Sequence, residues 1–396
     1  MDQIEQHQQK LLERTRNMWP DSPLSDATAA AFMATPRHRF VQRYRPYHSQ
    51  EWQVVTRENL SKHLSALYTD GSLALFGDDD NSVPSTISQP SLVLHMLDML
   101  QIEEGHQVFE LGAGSGWNAA FMGRLVGKAG QVHSLEIIPE MAQAAAENIA
   151  NMGIKNVNIV EADGGAGYSA GAPYDRAIFT AGSYDVPHHF YEQIKEGGLL
   201  LIVIKNGGGG DCLMLLRKVD DHFESLDSLP CGFVPMRGKY EVTDLAPITL
   251  DQLPNWENLK DNQVSKIPFW WGSKGKSGMM WATIGIRSFL EIIEPSFKIF
   301  KEAGAKDHEV GKQFFGLWGE SINSLVIAKD ESLISYGSSV AKNHLIRALK
   351  NWIDLGMPSV SNMNLHIYRA GKSISAGKNQ WLVKRVESQF LWHLDN

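Results

Sequence analysis

A length of 396 residues is too great for one compact core and suits about two domains. With 43 % hydrophobic and 21 % charged residues the composition is that of a folded globular protein, which excludes a largely disordered chain. A formal net charge of −8 excludes a general electrostatic grip on nucleic acid.

Residues 1–50 read as helical, with a break at Pro20 to Pro23. Arg37, Arg39, Arg43 and Arg45 form a basic run there, expected to be a solvated helix end. Residues 51–90 are expected to be irregular, because Gly71, Gly77, Asp78-Asp79-Asp80 and Pro84 favour turns. After Pro90 the pattern sharpens: Leu92, Val93, Met96, Leu97 and Leu100 predict an amphipathic helix over 91–100. Strands are expected at 107–111, 131–136, 157–161, 176–180 and 199–205. Helices are expected at 117–126, at 139–152 with Gly153 as C-cap, and at 188–195, stopped by Gly197-Gly198. This alternation implies a parallel, doubly wound α/β sheet. A glycine loop at 207–210 precedes a strand at 212–219, expected at the sheet edge. Pro247, Pro254 and Pro268 mark 241–268 as a linker. Beyond it, strands at 281–286 and 324–328 and a helix at 340–355 predict a smaller α+β domain. The chain thus divides into an N-terminal helical and substrate-loop region (1–90), a cofactor-binding core (91–240), the linker (241–268) and a C-terminal domain (269–396). Trp270, Trp271, Trp281, Trp318, Trp352, Trp381 and Trp392 are expected to form the C-terminal core rather than a peptide-binding surface.

Cys212 and Cys231 make neither a metal-type pair nor a disulfide framework, which suits a reducing compartment. Residues 1–10 are polar and predict no secretion signal. The longest apolar run, 199–204, falls far short of the roughly 20 residues that span a bilayer. A cytoplasmic protein without a membrane partner is expected. His188-His189 lack a partner at metal-ligand spacing and read as surface residues at a helix start, so no metal site is expected. Gly371-Lys372-Ser373 lacks the upstream glycine of a P-loop, since His366 stands there.

The central motif is Glu110-Leu111-Gly112-Ala113-Gly114-Ser115-Gly116, between a predicted strand and a predicted helix. Glycine lets a ligand approach the backbone, and the helix start offers free N–H donors. A dinucleotide fingerprint would space its glycines G-x-G-x-x-G, whereas here the spacing is G-x-G-x-G. Glu110, before the first glycine, would repel a pyrophosphate but could accept from the ammonium of S-adenosylmethionine. Glu136 ends the second strand, where a carboxylate grips ribose hydroxyls. Asp163, in Ala162-Asp163-Gly164, could accept from the adenine amino group. Glu110, Gly112, Gly114, Gly116, Glu136, Asp163 and Gly164 are therefore the expected S-adenosylmethionine site.

The sequence resembles the protein-L-isoaspartate O-methyltransferase family in this loop and in Thr86-Ile87-Ser88-Gln89-Pro90 and Ala172-Pro173-Tyr174-Asp175. The flanking Thr35-Pro36-Arg37-His38-Arg39-Phe40-Val41 and Gly232-Phe233-Val234-Pro235-Met236 match as well, so the resemblance spans about residues 30–240. It implies a Rossmann-like class I S-adenosylmethionine-dependent methyltransferase sheet with helices on both faces, and methyl transfer to a free carboxylate. It also implies that Ser88 acts at the active site, holding that carboxylate, with Thr86, Ile87, Gln89 and Ala181 around the acceptor. Capping of the following helix is a second, compatible role for Ser88.

Pro84-Ser85 and Thr180-Ala181-Gly182-Ser183-Tyr184 depart from the family pattern, and the stretch 68–85 is longer. Roughly 150 residues after Phe233 lie outside the family core, and similar extensions occur in relatives that methylate ribosomally made peptides. The expected function is therefore methyl-ester formation on an aspartyl or isoaspartyl carboxylate of a peptide or protein. The alternatives are modification of a ribosomally made peptide or small-molecule natural product, and a non-catalytic cofactor-binding role.

Overall fold

A computed structural model describes residues 3–19, 22–46, 49, 51–77, 85–207, 211–242, 246–268, 276–305 and 312–394. The break expected at Pro20, the acidic run 78–80 with Pro84, most of the 207–210 loop, and Trp270 and Trp271 lie outside them. So does the side chain of Trp281. The chain forms two compact units: residues 1–203, 214–227 and 233–241, and residues 204–213, 228–232 and 242–396.

The first unit opens with α1 (Gln3–Met18) and α2 (Asp26–Met33), followed by β1 (Arg43–Pro46), β2 (Gln53–Val54), α3 (Leu60–Leu67), β3 (Leu73–Phe76) and β4 (Ser85–Ile87). These strands make an antiparallel sheet in the order β2-β1-β3-β4. The described part of the stretch expected to be irregular thus supplies three strands and a helix. Its strand segments are too short for periodicity to stand out, and their pairing partners are remote in sequence. The arginine run is solvated only at Arg39 and Arg43. Arg37 is fully buried in a short 3-10 turn, and Arg45 is only 8 % exposed.

The α/β core follows as α4 (Pro90–Met99), β5 (Gln107–Leu111), α5 (Trp117–Leu125), β6 (Gln131–Glu136), α6 (Pro139–Asn151), β7 (Val157–Glu161), β8 (Tyr174–Phe179), α7 (Phe190–Gln193), β9 (Ile194–Ile204), β10 (Cys212–Val219) and β11 (His222–Pro230). The strand order is β11-β10-β9-β8-β5-β6-β7, with parallel pairing from β9 to β7. β10 therefore lies between two strands rather than at an edge. The helix expected over 188–195 is a single turn. β9 begins at once at Ile194 and runs through Gly197-Gly198, with a register shift against β8. The fully buried apolar run that ends β9 extends the strand past a glycine pair that would stop a helix. Phe190 packs against Phe109 and Phe179, with ring centroids 5.2 and 4.8 Å apart.

In the second unit, β12 (Ile248–Thr249), α8 (Trp256–Lys260), β13 (Gln263–Pro268), α9 (Lys276–Ile293), β14 (Phe297–Lys301), β15 (Gln313–Gly319), β16 (Ser324–Lys329), β17 (Ser332–Gly337) and α10 (Val340–Asp354) precede β18 (Asn364–Arg369), β19 (Gln380–Lys384) and β20 (Ser388–His393). One sheet has the order β12-β14-β15-β16-β17-β13, around Leu253, Phe300, Phe314, Leu325 and Ile327. The proline-marked stretch 241–268 thus supplies two strands and a helix of a folded unit. The strand expected at 281–286 is part of α9. Ile286, Phe289 and Leu290 are buried at helical spacing, and this period overrides the strand preference of its β-branched and aromatic residues. Trp352 and Trp392 are core residues. Among the described residues no helix is long and apolar enough to cross a membrane. Neither Cys212 nor Cys231 is in a disulfide.

Candidate active site

β5 is the strand at which the sheet order reverses, with β6 on one side and β8 on the other. Ligands of doubly wound sheets bind beyond the carboxyl end of such a strand. Gly112 to Gly116 occupies that position. All three of its glycines have positive φ (+93°, +54° and +80°). At Gly116 an added Cβ would lie 3.2 Å from the Ala145 carbonyl oxygen, so this glycine allows α5 to start against α6. At Gly114 an added Cβ would point into the gap toward β4, 3.7 Å from Ser85 Oγ and the Thr86 carbonyl oxygen. The amides of Gly112 and Ala113 both donate to the Leu135 carbonyl, at 2.8 and 3.0 Å. Thr180 closes the other side, its hydroxyl 2.9 Å from the Leu111 and 2.6 Å from the Gly112 carbonyl oxygen.

A cavity with about 950 Å³ of empty space, partly open to solvent, lies against this loop. It gathers most of the expected site residues: Thr86, Ile87, Ser88, Gly112, Gly114, Glu136, Asp163, Gly164 and Ala181. Glu136 Oε2 accepts from the Gly114 amide at 2.8 Å, and its Oε1 from the Ile138 amide at 3.0 Å. Burial raises its carboxyl above the usual range, and the amide donors oppose that rise. Asp163 accepts from the Gly165 amide at 2.9 Å and the Lys239 amide at 2.8 Å. Ser88 is half-buried, and its hydroxyl makes no hydrogen bond among the described residues. A donor left free at a cavity wall is available to a ligand.

Three expected site residues stand apart from the cavity lining. Glu110 is fully buried; it accepts from Asn118 Nδ2 at 2.6 Å and from Ser134 Oγ at 2.5 Å. Burial pushes its carboxyl up to about 7 against those two donors, with the nearby Glu136 charge adding to the rise. Its two oxygens tie β5 to α5 and to β6. Gln89 turns its amide to Asp70 at 3.2 Å and to Ser91 Oγ at 3.0 Å. Gly116 serves helix packing, as described above. Ser88 does not cap α4. Asp70 does so from outside the helix, accepting from the Ser91 amide and hydroxyl, both at 3.0 Å.

The cavity also holds residues that sequence reasoning did not assign to the site: Trp117, Asn118, Ile137, Ile138 and the segment 233–237. The last carried a signal in its Phe-Val-Pro motif. Its backbone docks on the loop after β8, with Gly182 N–H donating to Val234 and Met236 N–H donating to Gly182, each at 2.8 Å. His188 and His189 lie at the start of α7, where His189 Nε2 is 2.9 Å from Tyr240 Oη.

The profile of the family described as protein-L-isoaspartate(D-aspartate) O-methyltransferase matches residues 6–241. A protein-L-isoaspartate O-methyltransferase of Methanothrix thermoacetophila is 34 % identical over 212 residues, 52 % of this chain and 98 % of the relative. One from Ignicoccus hospitalis is 34 % identical over 183 residues, 45 % of this chain and 87 % of the relative. A solved structure titled protein-L-isoaspartate O-methyltransferase superposes with a TM-score of 0.54 at 25 % identity, covering 91 % of this chain and 96 % of its own. A match of that extent runs past residue 241. The C-terminal region therefore has a counterpart in a structure of that title, and does not by itself point to relatives that modify ribosomally made peptides. The chain belongs to the protein-L-isoaspartate(D-aspartate) O-methyltransferase family, whose members are S-adenosylmethionine-dependent carboxyl O-methyltransferases, and it shares their Rossmann-like fold.

Proposed function

We propose that the cavity between β4 and the glycine loop is where this enzyme esterifies an isoaspartyl carboxylate of a protein or peptide, with Ser88 on the acceptor side and the loop on the cofactor side. The observation that carries this reading is the juxtaposition of a free serine hydroxyl with a positive-φ glycine cradle at one cavity. The cradle fits S-adenosylmethionine: a Cβ at Gly114 would fill the gap between the loop and β4, 3.7 Å from Ser85 Oγ, and Glu136 and Asp163 line the same cavity. In this reading 112–116 hold the amino-acid end, Glu136 the ribose hydroxyls, and Asp163 with Gly164 the base. Glu110 shapes the loop rather than touching the ligand.

When bound, S-adenosylmethionine supplies an electrophilic methyl group on a sulfonium. The acceptor carboxylate, with a reference pKa near 4, is already an anion at pH 7 and needs no general base. The protein's task is alignment and exclusion of water. Ser88 donates to one carboxylate oxygen and leaves the other free to react. Thr86, Ile87 and Ala181 form the surrounding wall, and 233–237 close it. A hydroxyl or amine acceptor would call for a base beside the methyl. Glu110, whose carboxyl burial pushes up to about 7, is not among the residues lining the cavity, and the Glu136 carboxylate there is engaged by the Gly114 and Ile138 amides.

Labelled methyl transfer to an isoaspartyl peptide, followed by alkaline treatment, tests the function. Label released as methanol is expected, because esters hydrolyse in base. Base-stable label would overturn carboxylate methylation. Transfer to a small-molecule acceptor but to no peptide would favour the natural-product alternative.

A further inference from the structure

Arg37 carries a charge that the chemistry above does not use. Its guanidinium is fully buried, and burial lowers it to about 9 against the opposing influence of Asp70 and Tyr68. Five carbonyl oxygens receive its two terminal nitrogens. Nη1 donates to Leu67 at 2.9 Å and Thr69 at 3.1 Å; Nη2 donates to Gly71 at 2.9 Å, Ile87 at 3.2 Å and Ser88 at 2.9 Å. The first three carbonyls lie at the end of α3 and in the turn after it. The last two belong to the acceptor segment. The same guanidinium sits 5.3 Å over the ring of Trp117, the first residue of α5 after the glycine loop. Asp70, its side chain 1 % exposed, holds the other end of the acceptor segment through Gln89 and Ser91.

We propose that Arg37 and Asp70 are positioning residues that clamp the acceptor segment 87–91 at both ends, and so fix the Ser88 hydroxyl relative to the glycine loop. The proposal rests on the acceptor role assigned to Ser88 above. A buried arginine is costly unless its donors are satisfied; here both terminal nitrogens are engaged, and Nε alone has no partner among the described residues. Its planar fork can bridge several carbonyls, which a lysine ammonium with three donors cannot reproduce. An asparagine at position 70 would turn one acceptor into a donor facing the donors of Ser91 and Gln89. A misplaced acceptor group slows reaction even where no contact to the reacting atoms is lost.

The test compares Arg37→Lys, Asp70→Asn, Ser88→Ala and the double variant Asp70→Asn/Ser88→Ala in the full chain. Each clamp variant is expected to lower kcat/KM for an isoaspartyl peptide by about tenfold or more, with affinity for S-adenosylhomocysteine by calorimetry within about twofold. Amide exchange should quicken at 87–91 and stay unchanged at 112–116. In the double variant the losses should fall short of multiplying, because the clamp acts through Ser88. Multiplicative losses, or equal loss of cofactor affinity, would overturn the proposal. If Arg37→Lys fails to fold, Asp70→Asn decides. A silent Ser88→Ala with faster exchange at 87–91 in Asp70→Asn sinks the reading of Ser88 and leaves the clamp standing. An impaired Ser88→Ala with unchanged exchange and turnover in Asp70→Asn sinks the clamp alone.

Discussion

The Glu136 carboxylate holds the Gly114 amide at 2.8 Å, so the acid at the end of β6 and the middle glycine after β5 form one preassembled edge of the cavity. Each residue has a second task in the proposed site, since Glu136 also faces ribose and Gly114 lets the ligand approach. Glu136→Gln keeps the size of the side chain but removes the charge. Cofactor affinity should fall by roughly 10- to 100-fold, the equivalent of about 1.5–3 kcal/mol for a hydrogen bond to a charged group. Calorimetry with S-adenosylhomocysteine measures this, and unchanged affinity would remove Glu136 from the ribose site.

Gly114 and Gly116 separate binding from folding. Both need a left-handed backbone, but only Gly116 meets backbone at 3.2 Å when a Cβ is added. Gly116→Ala should cost more than the ~1 kcal/mol of the conformation alone, because α6 must move. Gly114→Ala should cost about that 1 kcal/mol and leave the fold intact. Gly114→Val, whose branched side chain reaches into the cradle, should lose cofactor binding. Thermal melts and calorimetry on the three variants decide between these outcomes. Normal binding by Gly114→Val would displace the cofactor from this loop.

Ser88→Ala removes a donor that is unengaged in the structure. Folding stability should stay within about 0.5 kcal/mol, because no internal hydrogen bond is lost. Turnover of an isoaspartyl peptide should fall about tenfold or more, the equivalent of roughly 1.4 kcal/mol, with cofactor affinity unchanged. Steady-state kinetics with both substrates varied checks this. A loss confined to cofactor affinity would place Ser88 on the wrong side of the site.

Glu110 gives stability a pH dependence of definite sign. Its carboxyl sits at about 7 in the folded chain against an ordinary value of 4.5, so the folded state binds the proton more tightly. Stability from this group therefore falls as pH rises from about 4.5 to about 7, and the full cost, on the order of 3 kcal/mol, is present above 7. Glu110→Gln removes the titration. The melting temperature of the variant relative to the native chain should climb between pH 5 and pH 8 and then level off. A constant difference across that range would show that Glu110 is ionised throughout.

The α/β core and the place of the glycine loop were legible in the chain. β5, β6 and β7 fall where short runs of β-branched and apolar residues place them, and the glycines after β5 have the positive φ that the loop needs. Local chemistry also marked Glu136 and Asp163 as acids at strand ends. Tertiary structure alone decided what Arg37, Asp70 and Glu110 do. Arg37 read as solvated because its five carbonyl partners lie 30 to 51 residues away. Asp70 caps a helix that starts some twenty residues later, and Glu110 is turned away from the cavity by Asn118 and Ser134. The same holds for α9, where burial of one helical face outweighed strand preference, and for 241–268, whose prolines punctuate a folded unit. A period or a glycine acts through its chain neighbours and is written in the chain. The partner of a buried charge is fixed only when distant segments meet.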